Sequence, residues 1–150
     1  VEPALQTKLA TRRNSSLLTP HPLEAARLRG CRSETVQSDR LATALALATQ
    51  YQSVVILKGS GSVIARPDGR MIINPTGNPA LATAGSGDVL AGLCGALLAQ
   101  GWPNWEAALA ATWLHGAAAD ELVAQGHGPI GLTASELMPA IRAALNELLR

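Results

Sequence analysis

The stretch "SVVILKG" at residues 53–59 is β-branched and apolar at consecutive positions, and a glycine closes it shortly after. A strand that is apolar on both faces has two sides to hide, so it must lie in a sheet covered by helices above and below. The neighbouring segments supply such helices. "RLATALALATQY" at 40–51 follows Ser38-Asp39, a plausible N-terminal cap, and places Leu41 and Leu45 on one face with alanine filling the gaps. From Gly87 onward Val89, Leu93 and Leu97 recur every four residues, and that run stops at Gly101 with Pro103 beyond.

The same reading extends along the chain. Residues 4–11 form a short helix closed by the polar run Arg12-Arg13-Asn14-Ser15, and "SLLT" at 16–19 is a short buried strand stopped by Pro20 and Pro22. Pro22 suits the first turn of a helix carrying Leu23, Ala26 and Leu28. "SVIAR" (62–66) and "RMIIN" (70–74) flank Pro67-Asp68-Gly69, a hairpin turn. Asn104 caps a helix that carries Leu109, Trp113 and Ala117, and Gly126–Gly131 is a loop. Thr133 and Glu136 then make a capping box for a last helix with Leu137, Ile141, Leu145 and Leu148 inward. The expected order is α-β-α-α-β-ββ-α-α-α, an α/β sheet covered on both faces. No repeat or low-complexity linker divides residues 1–150, so they read as a single domain.

Composition narrows the function. With 47% hydrophobic and 15% charged residues the chain is not of the disordered class, and a net charge of +1 lacks the basic surplus of a nucleic-acid binder. No apolar run approaches the roughly 20 residues that span a bilayer. Cys94 lies inside the apolar run "VLAGLCGALLA", as a buried free thiol in a reducing compartment would, and a cytoplasmic location is expected.

Three segments carry candidate chemistry. In "AGSGD" at 84–88, Gly85 and Gly87 strip side chains from the start of a helix, whose backbone N–H groups and partial positive charge suit an anion. Asp88 beside such a phosphate makes sense as the group that deprotonates or orients an attacking hydroxyl; it equally suits a helix cap. "LKGSGS" at 57–62 offers Lys58, two glycines and the hydroxyls of Ser60 and Ser62 to a nucleotide, or forms a plain hairpin; it lacks the P-loop order. "TPHPLE" at 19–24 holds His21 between prolines at the carboxyl end of a strand, where open α/β sheets bind ligands, though a lone histidine is often structural. His115 reads as a packing or capping residue and His127 as part of a Gly-rich loop. The histidines and carboxylates lack zinc-type spacing, so no residue is assigned as a metal ligand.

"LLTPHPLEAARL", "VVILKGSGSVIA" and "NPTGNPALATAGSGDVLAGLCGALLAQG" together resemble, in order and spacing, the NAD(P)H-hydrate dehydratases, repair enzymes of the ribokinase-like superfamily. Gly-Ser-Gly-Asp at 85–88 matches the superfamily signature; Thr-Pro-His-Pro-x-Glu and Gly-Asn-Pro at 77–79 are more specific, and "SDR" at 38–40 and the residues around His115 are also similar. Leu23 stands where members often carry glycine, and Ser86 where threonine or methionine is commoner.

The resemblance implies a ribokinase-like sandwich with a mostly parallel central sheet, of which this chain is the carboxyl-terminal half. It implies ADP-dependent (in some members ATP-dependent) dehydration of NADH or NADPH hydrated at C6, yielding AMP and phosphate, with Mg²⁺. By the same resemblance Asp88 is the catalytic base and contacts substrate, with His21 and Asn78. Lys58, Gly59, Ser60, Gly61, Ser62, Gly85, Ser86 and Gly87 bind the nucleotide. Val1 is not methionine, and a half sheet would leave an unpaired edge. The expectation is therefore a fragment of a longer protein, or a chain completed by a companion or by a homo-oligomer. A kinase for a small alcohol shares the Gly-x-Gly-Asp logic, and a non-catalytic nucleotide-binding protein is a third reading.

Overall fold

The computed structural model describes residues 3–14 and 16–148, so Val1 and Ser15 lie outside the described residues. Helix α1 (Pro3–Ala10) leads into strand β1 (Leu17–Leu18), and Pro22 opens α2 (Pro22–Arg29). A short helix α3 (Ser33–Ser38) comes next, before α4 (Arg40–Tyr51). Asp39 begins α4, its Oδ1 accepting from the Ala42 amide at 2.9 Å. Strands β2 (Val54–Leu57), β3 (Val63–Ala65) and β4 (Met71–Ile73) follow, then a 3₁₀ turn at Pro79–Leu81 and three helices, α5 (Ser86–Ala99), α6 (Asn104–Ala124) and α7 (Ala134–Glu147).

The sheet runs β1-β2-β3-β4. β1 pairs parallel with β2, Leu17 opposite Val54, while β2–β3 and β3–β4 are antiparallel. Among these strands the pairing is thus mixed, because short connections after β2 and β3 turn the chain straight back. All four residues of β2 are buried, as a strand between two helical layers requires. Val55 and Leu57 pack with Ala25, Val36, Leu47 and Tyr51 from α2–α4 on one side. Val54 and Ile56 pack with Leu90, Cys94, Leu97 and the alanines Ala107, Ala108 and Ala111 of α5 and α6 on the other. A third apolar cluster, with Leu114, Leu132, Leu137 and Ile141, joins α6 to α7.

Several sequence expectations need correcting. On α4 the buried face is Ala44, Leu47, Ala48 and Tyr51, whereas Leu41 is exposed; alanine allows the helix to sit close on the sheet. Leu23 and Trp113 are exposed as well, and Leu148 follows the end of α7 in solvent. Asn104 does not cap α6: Pro103 holds the extended cap position and Asn104 is already helical. Helix α3 is an addition to the expected order. Its six residues are too few to show a periodic pattern, and Val36 alone is buried.

Candidate functional site

Strand β2 ends by delivering Lys58 to the carboxyl edge of the sheet, its amide donating to Pro20 O at 2.9 Å. The chain then turns through Gly59–Ser62 into β3. Gly61 adopts φ +61°, where a side chain would be strained, and a Cβ there would meet Ile73 at 3.2 Å. Ser62 Oγ donates to Gly59 O at 3.3 Å, closing the turn on itself.

Facing this turn is the start of α5. Gly85 begins the helix in the left-handed region, φ +86°, with no side chain capping the N-terminus. Ser86 is buried; its Oγ donates to Leu81 O at 2.7 Å, and its own carbonyl accepts from His115 Nε2 at 2.9 Å. A Cβ on Gly87 would stand 3.0 Å from Lys58 Nζ, so the ammonium group lies across the opening turn of the helix. Cation and exposed helix start together favour negative charge at this point.

A cavity of about 410 Å³ opens here, walled by Lys58 and the 59–62 turn, the loop after β4, the start of α5, and Thr112, His115 and Gly116 of α6. Its floor is pinned by hydrogen bonds. Asn74 Nδ2 donates to Thr76 O at 2.9 Å, Thr76 Oγ1 donates to Trp113 O at 3.0 Å, and Asp120 accepts from Gly77 N at 2.8 Å and from Asn78 Nδ2 at 2.9 Å. A more open groove of about 390 Å³ adjoins it, lined by Pro20, Glu24, Arg27, Lys58, Gly87 and Asp88 among others. Lys58 and Gly87 belong to both hollows and form the wall between them.

The sequence-predicted residues divide accordingly. Lys58 to Ser62, Ser86 and Gly87 converge on the cavity. Gly85 sets the helix start, and the Ser86 hydroxyl is engaged by Leu81. Asp88 is exposed and faces the groove across the wall. Asn78 lines the cavity with both ends of its amide occupied, Oδ1 accepting from Ala80 N at 2.9 Å and Nδ2 donating to Asp120. His21 lines neither hollow. It caps α2, its Nδ1 accepting from Glu24 N at 3.3 Å, while its own amide donates to Glu24 Oε2 at 2.7 Å. Glu24 Oε2 also lies 3.7 Å from Lys58 Nζ, so the capping box of α2 reaches the dividing wall.

His115 is the residue that sequence reasoning undervalued. Burial holds its pKa below the ordinary value, the hydrogen bond to Ser86 opposes that, and nearby Lys58 adds to the depression. Donation to a carbonyl places the neutral ring's proton on Nε2. The sequence signal is Gly116, a glycine within an alanine-rich helix that marks a close approach, here by Thr76.

Among the described residues, no group of three or more His, Cys, Asp or Glu side chains could hold a metal ion, and no helix is long and apolar enough to cross a membrane. Glu24, a carboxylate facing the groove beside Lys58, suits an ion carried on nucleotide phosphates, as Mg²⁺ commonly is.

Comparison with known proteins identifies a family and a fold. A profile of the family described as NAD(P)H-hydrate dehydratase matches residues 3–143. The chain is 48% identical over 132 residues to the ADP-dependent (S)-NAD(P)H-hydrate dehydratase of Neisseria meningitidis serogroup B, covering 88% of this chain and 45% of that protein. The crystal structure of the ADP/ATP-dependent NAD(P)H-hydrate dehydratase from Bacillus subtilis, co-crystallised with ATP/Mg²⁺, superposes with a TM-score of 0.84 at 38% identity, over 93% of this chain and 52% of that one. A ribokinase-like superfamily protein from Enterococcus faecalis superposes with a TM-score of 0.74 at 26% identity, over 96% of this chain and 50% of that one. The layering is therefore ribokinase-like, and the chain spans about half the length of these proteins.

Proposed function

The chain belongs to the NAD(P)H-hydrate dehydratase family, and from that premise we propose that it carries the phosphoryl-transfer centre of an ADP-dependent dehydratase acting on hydrated NADH or NADPH. ADP occupies the cavity, its phosphates against Lys58, the Gly59–Ser62 turn and the start of α5. The hydrated nicotinamide ring lies in the adjoining groove, where Asp88 meets its C6 hydroxyl. Sharing of Lys58 and Gly87 between the two hollows is the observation that carries this reading. A group passing from one ligand to the other crosses a wall made of an ammonium ion and unobstructed backbone.

In the first step Asp88 takes the proton of the C6 hydroxyl, and the oxygen attacks the β-phosphorus of ADP as the bridging P–O bond to AMP breaks. Lys58 and the helix start neutralise charge on the transferred phosphoryl group. Loss of a proton from C5 and of phosphate from C6 then restores the ring double bond, so hydrated cofactor and ADP give reduced cofactor, AMP and phosphate. Glu24 is the carboxylate that would help hold an Mg²⁺ ion carried on the nucleotide, and such an ion would add charge neutralisation, leaving Asp88 free to take the proton. Neutral His115 fixes the Ser86 carbonyl and keeps the cavity wall in place. A cytoplasmic, assembled enzyme fits the same reading. The β4 edge, with Met71, Ile72 and Ile73 all exposed, suits a contact with another chain.

The test is incubation with ADP and hydrated NADH. Return of the reduced-nicotinamide absorbance with stoichiometric free phosphate is expected; phosphate retained on the product would point instead to a small-alcohol kinase.

A further inference from the structure

The Gly59–Ser62 turn holds its shape against a side chain that reaches it from another helix. Arg40, the first residue of α4, sends its guanidinium beneath the turn: Nη2 donates to Leu57 O at 3.2 Å and Nη1 donates to Ser60 O. The contact is close enough that a Cβ on Gly59 would stand 2.8 Å from Nη2 and 3.1 Å from Cζ. Arg40 Nε is buried without a partner, a cost carried to keep the guanidinium in this place. Arg40 does not line the cavity, whereas Gly59, Ser60 and Gly61 do.

We infer that Arg40 is the positioning residue of the nucleotide turn, locking the Ser60–Gly61 peptide so that the Gly61 amide faces the cavity as a donor for an anionic group. A trans peptide points its C=O and N–H in opposite directions, so a carbonyl drawn toward α4 turns the following N–H away from it. Gly61 N–H thereby faces the side on which the cavity lies. The planar fork binds the Ser60 carbonyl through one donor while the other holds the guanidinium to the Leu57 carbonyl at the end of β2, a bridge that a single ammonium point charge does not reproduce. The inference rests on the nucleotide reading of the cavity, while its structural half stands apart from it.

The experiment compares the chain with Arg40→Met, which keeps the stem and loses every donor, and Arg40→Lys, which keeps the charge. Calorimetry measures ADP affinity, and amide exchange measures order in the turn. For Arg40→Met, ADP affinity falls at least tenfold and the 59–62 amides exchange at least tenfold faster, while those of β2 change little. Arg40→Lys recovers only part of the affinity. Leu47→Val, which loosens the α4 core away from the turn, leaves ADP affinity within about twofold. ADP affinity within twofold of the parent in Arg40→Met, or unchanged exchange at 59–62, overturns the inference. Should Arg40→Met fail to fold, Arg40→Lys carries the comparison with the same thresholds halved on a logarithmic scale. A parent chain that binds no ADP defeats the nucleotide reading, and exchange at 59–62 then decides the ordering role on its own.

Discussion

His115 donates through Nε2 to the carbonyl oxygen of Ser86 at 2.9 Å, fastening the middle of α6 to the first residue of α5. Burial first, and Lys58 in addition, depress the folded-state pKa of the imidazole. The unfolded chain protonates this residue near 6.5, so between that pH and the lower folded value the unfolded state holds more protons. Stability attributable to His115 is complete above about 6.5 and is lost as pH falls toward the folded pKa. Thermal melts at about pH 7.5 and about pH 5.5 should show a larger drop for the parent than for His115→Gln. Parallel drops would remove His115 from the acid response.

Replacing Asp88 by Asn keeps the shape of the exposed side chain but removes the base. Turnover of hydrated NADH should fall by about 10²–10⁴-fold. ADP affinity by calorimetry should stay within about threefold, because Asp88 lines the groove and not the cavity. A variant with parental turnover would take the proton transfer away from this carboxylate.

Gly87→Ala should move stability and function in opposite directions. Alanine is the better helix former, worth up to about 0.5 kcal/mol near a helix start, and the φ of Gly87 is not positive. Its methyl would lie 3.0 Å from Lys58 Nζ and push the ammonium off the dividing wall. Denaturant melts should show equal or higher stability, while calorimetry shows weaker ADP binding, by about tenfold if one charge-assisted contact is lost.

Gly116, buried on α6, and Gly95, exposed on α5, give a contrasting pair. A Cβ on Gly116 would meet the Thr76 carbonyl carbon at 2.6 Å, and that loop is tied down by Thr76 and Asp120. Gly116→Ala should cost about 1–3 kcal/mol by overpacking. At Gly95 nothing lies within 4 Å, so Gly95→Ala should gain up to about 1 kcal/mol. Urea midpoints compared at equal slope decide both.

The two thiols should separate cleanly. Cys94 is buried and its pKa is pushed up to about 11 by burial, whereas Cys31 is exposed. An aromatic disulfide reagent at mildly alkaline pH should label one thiol per native chain and two after unfolding. Two labelled thiols in the native state would mean that the α5–sheet interface opens readily.

How much of this was legible depended on the range of the interaction. β2 announces itself because an apolar run with two hidden faces has few other uses, and the Thr133–Glu136 capping box is complete within four residues, Thr133 N donating to Glu136 at 2.7 Å. Asn104 misled because it resembles a cap by itself, while the preceding Pro103 already holds the extended cap conformation. Leu41 misled because periodicity names an apolar stripe but not the partner that will cover it. The glycines and Lys58 of the site were visible as local motifs. The groups that hold them were not: Arg40 reaches Ser60 across 20 residues, and Asp120 reaches Gly77 across 43. Such contacts exist only once β2, α4 and α6 have taken their places.

The dividing partition built from Lys58 and Gly87 has a thermodynamic corollary. A compound seated on one side draws on the same ammonium charge as a compound seated on the other, so their binding free energies are linked. Whatever factor ADP imposes on the affinity for hydrated cofactor, hydrated cofactor must impose on ADP.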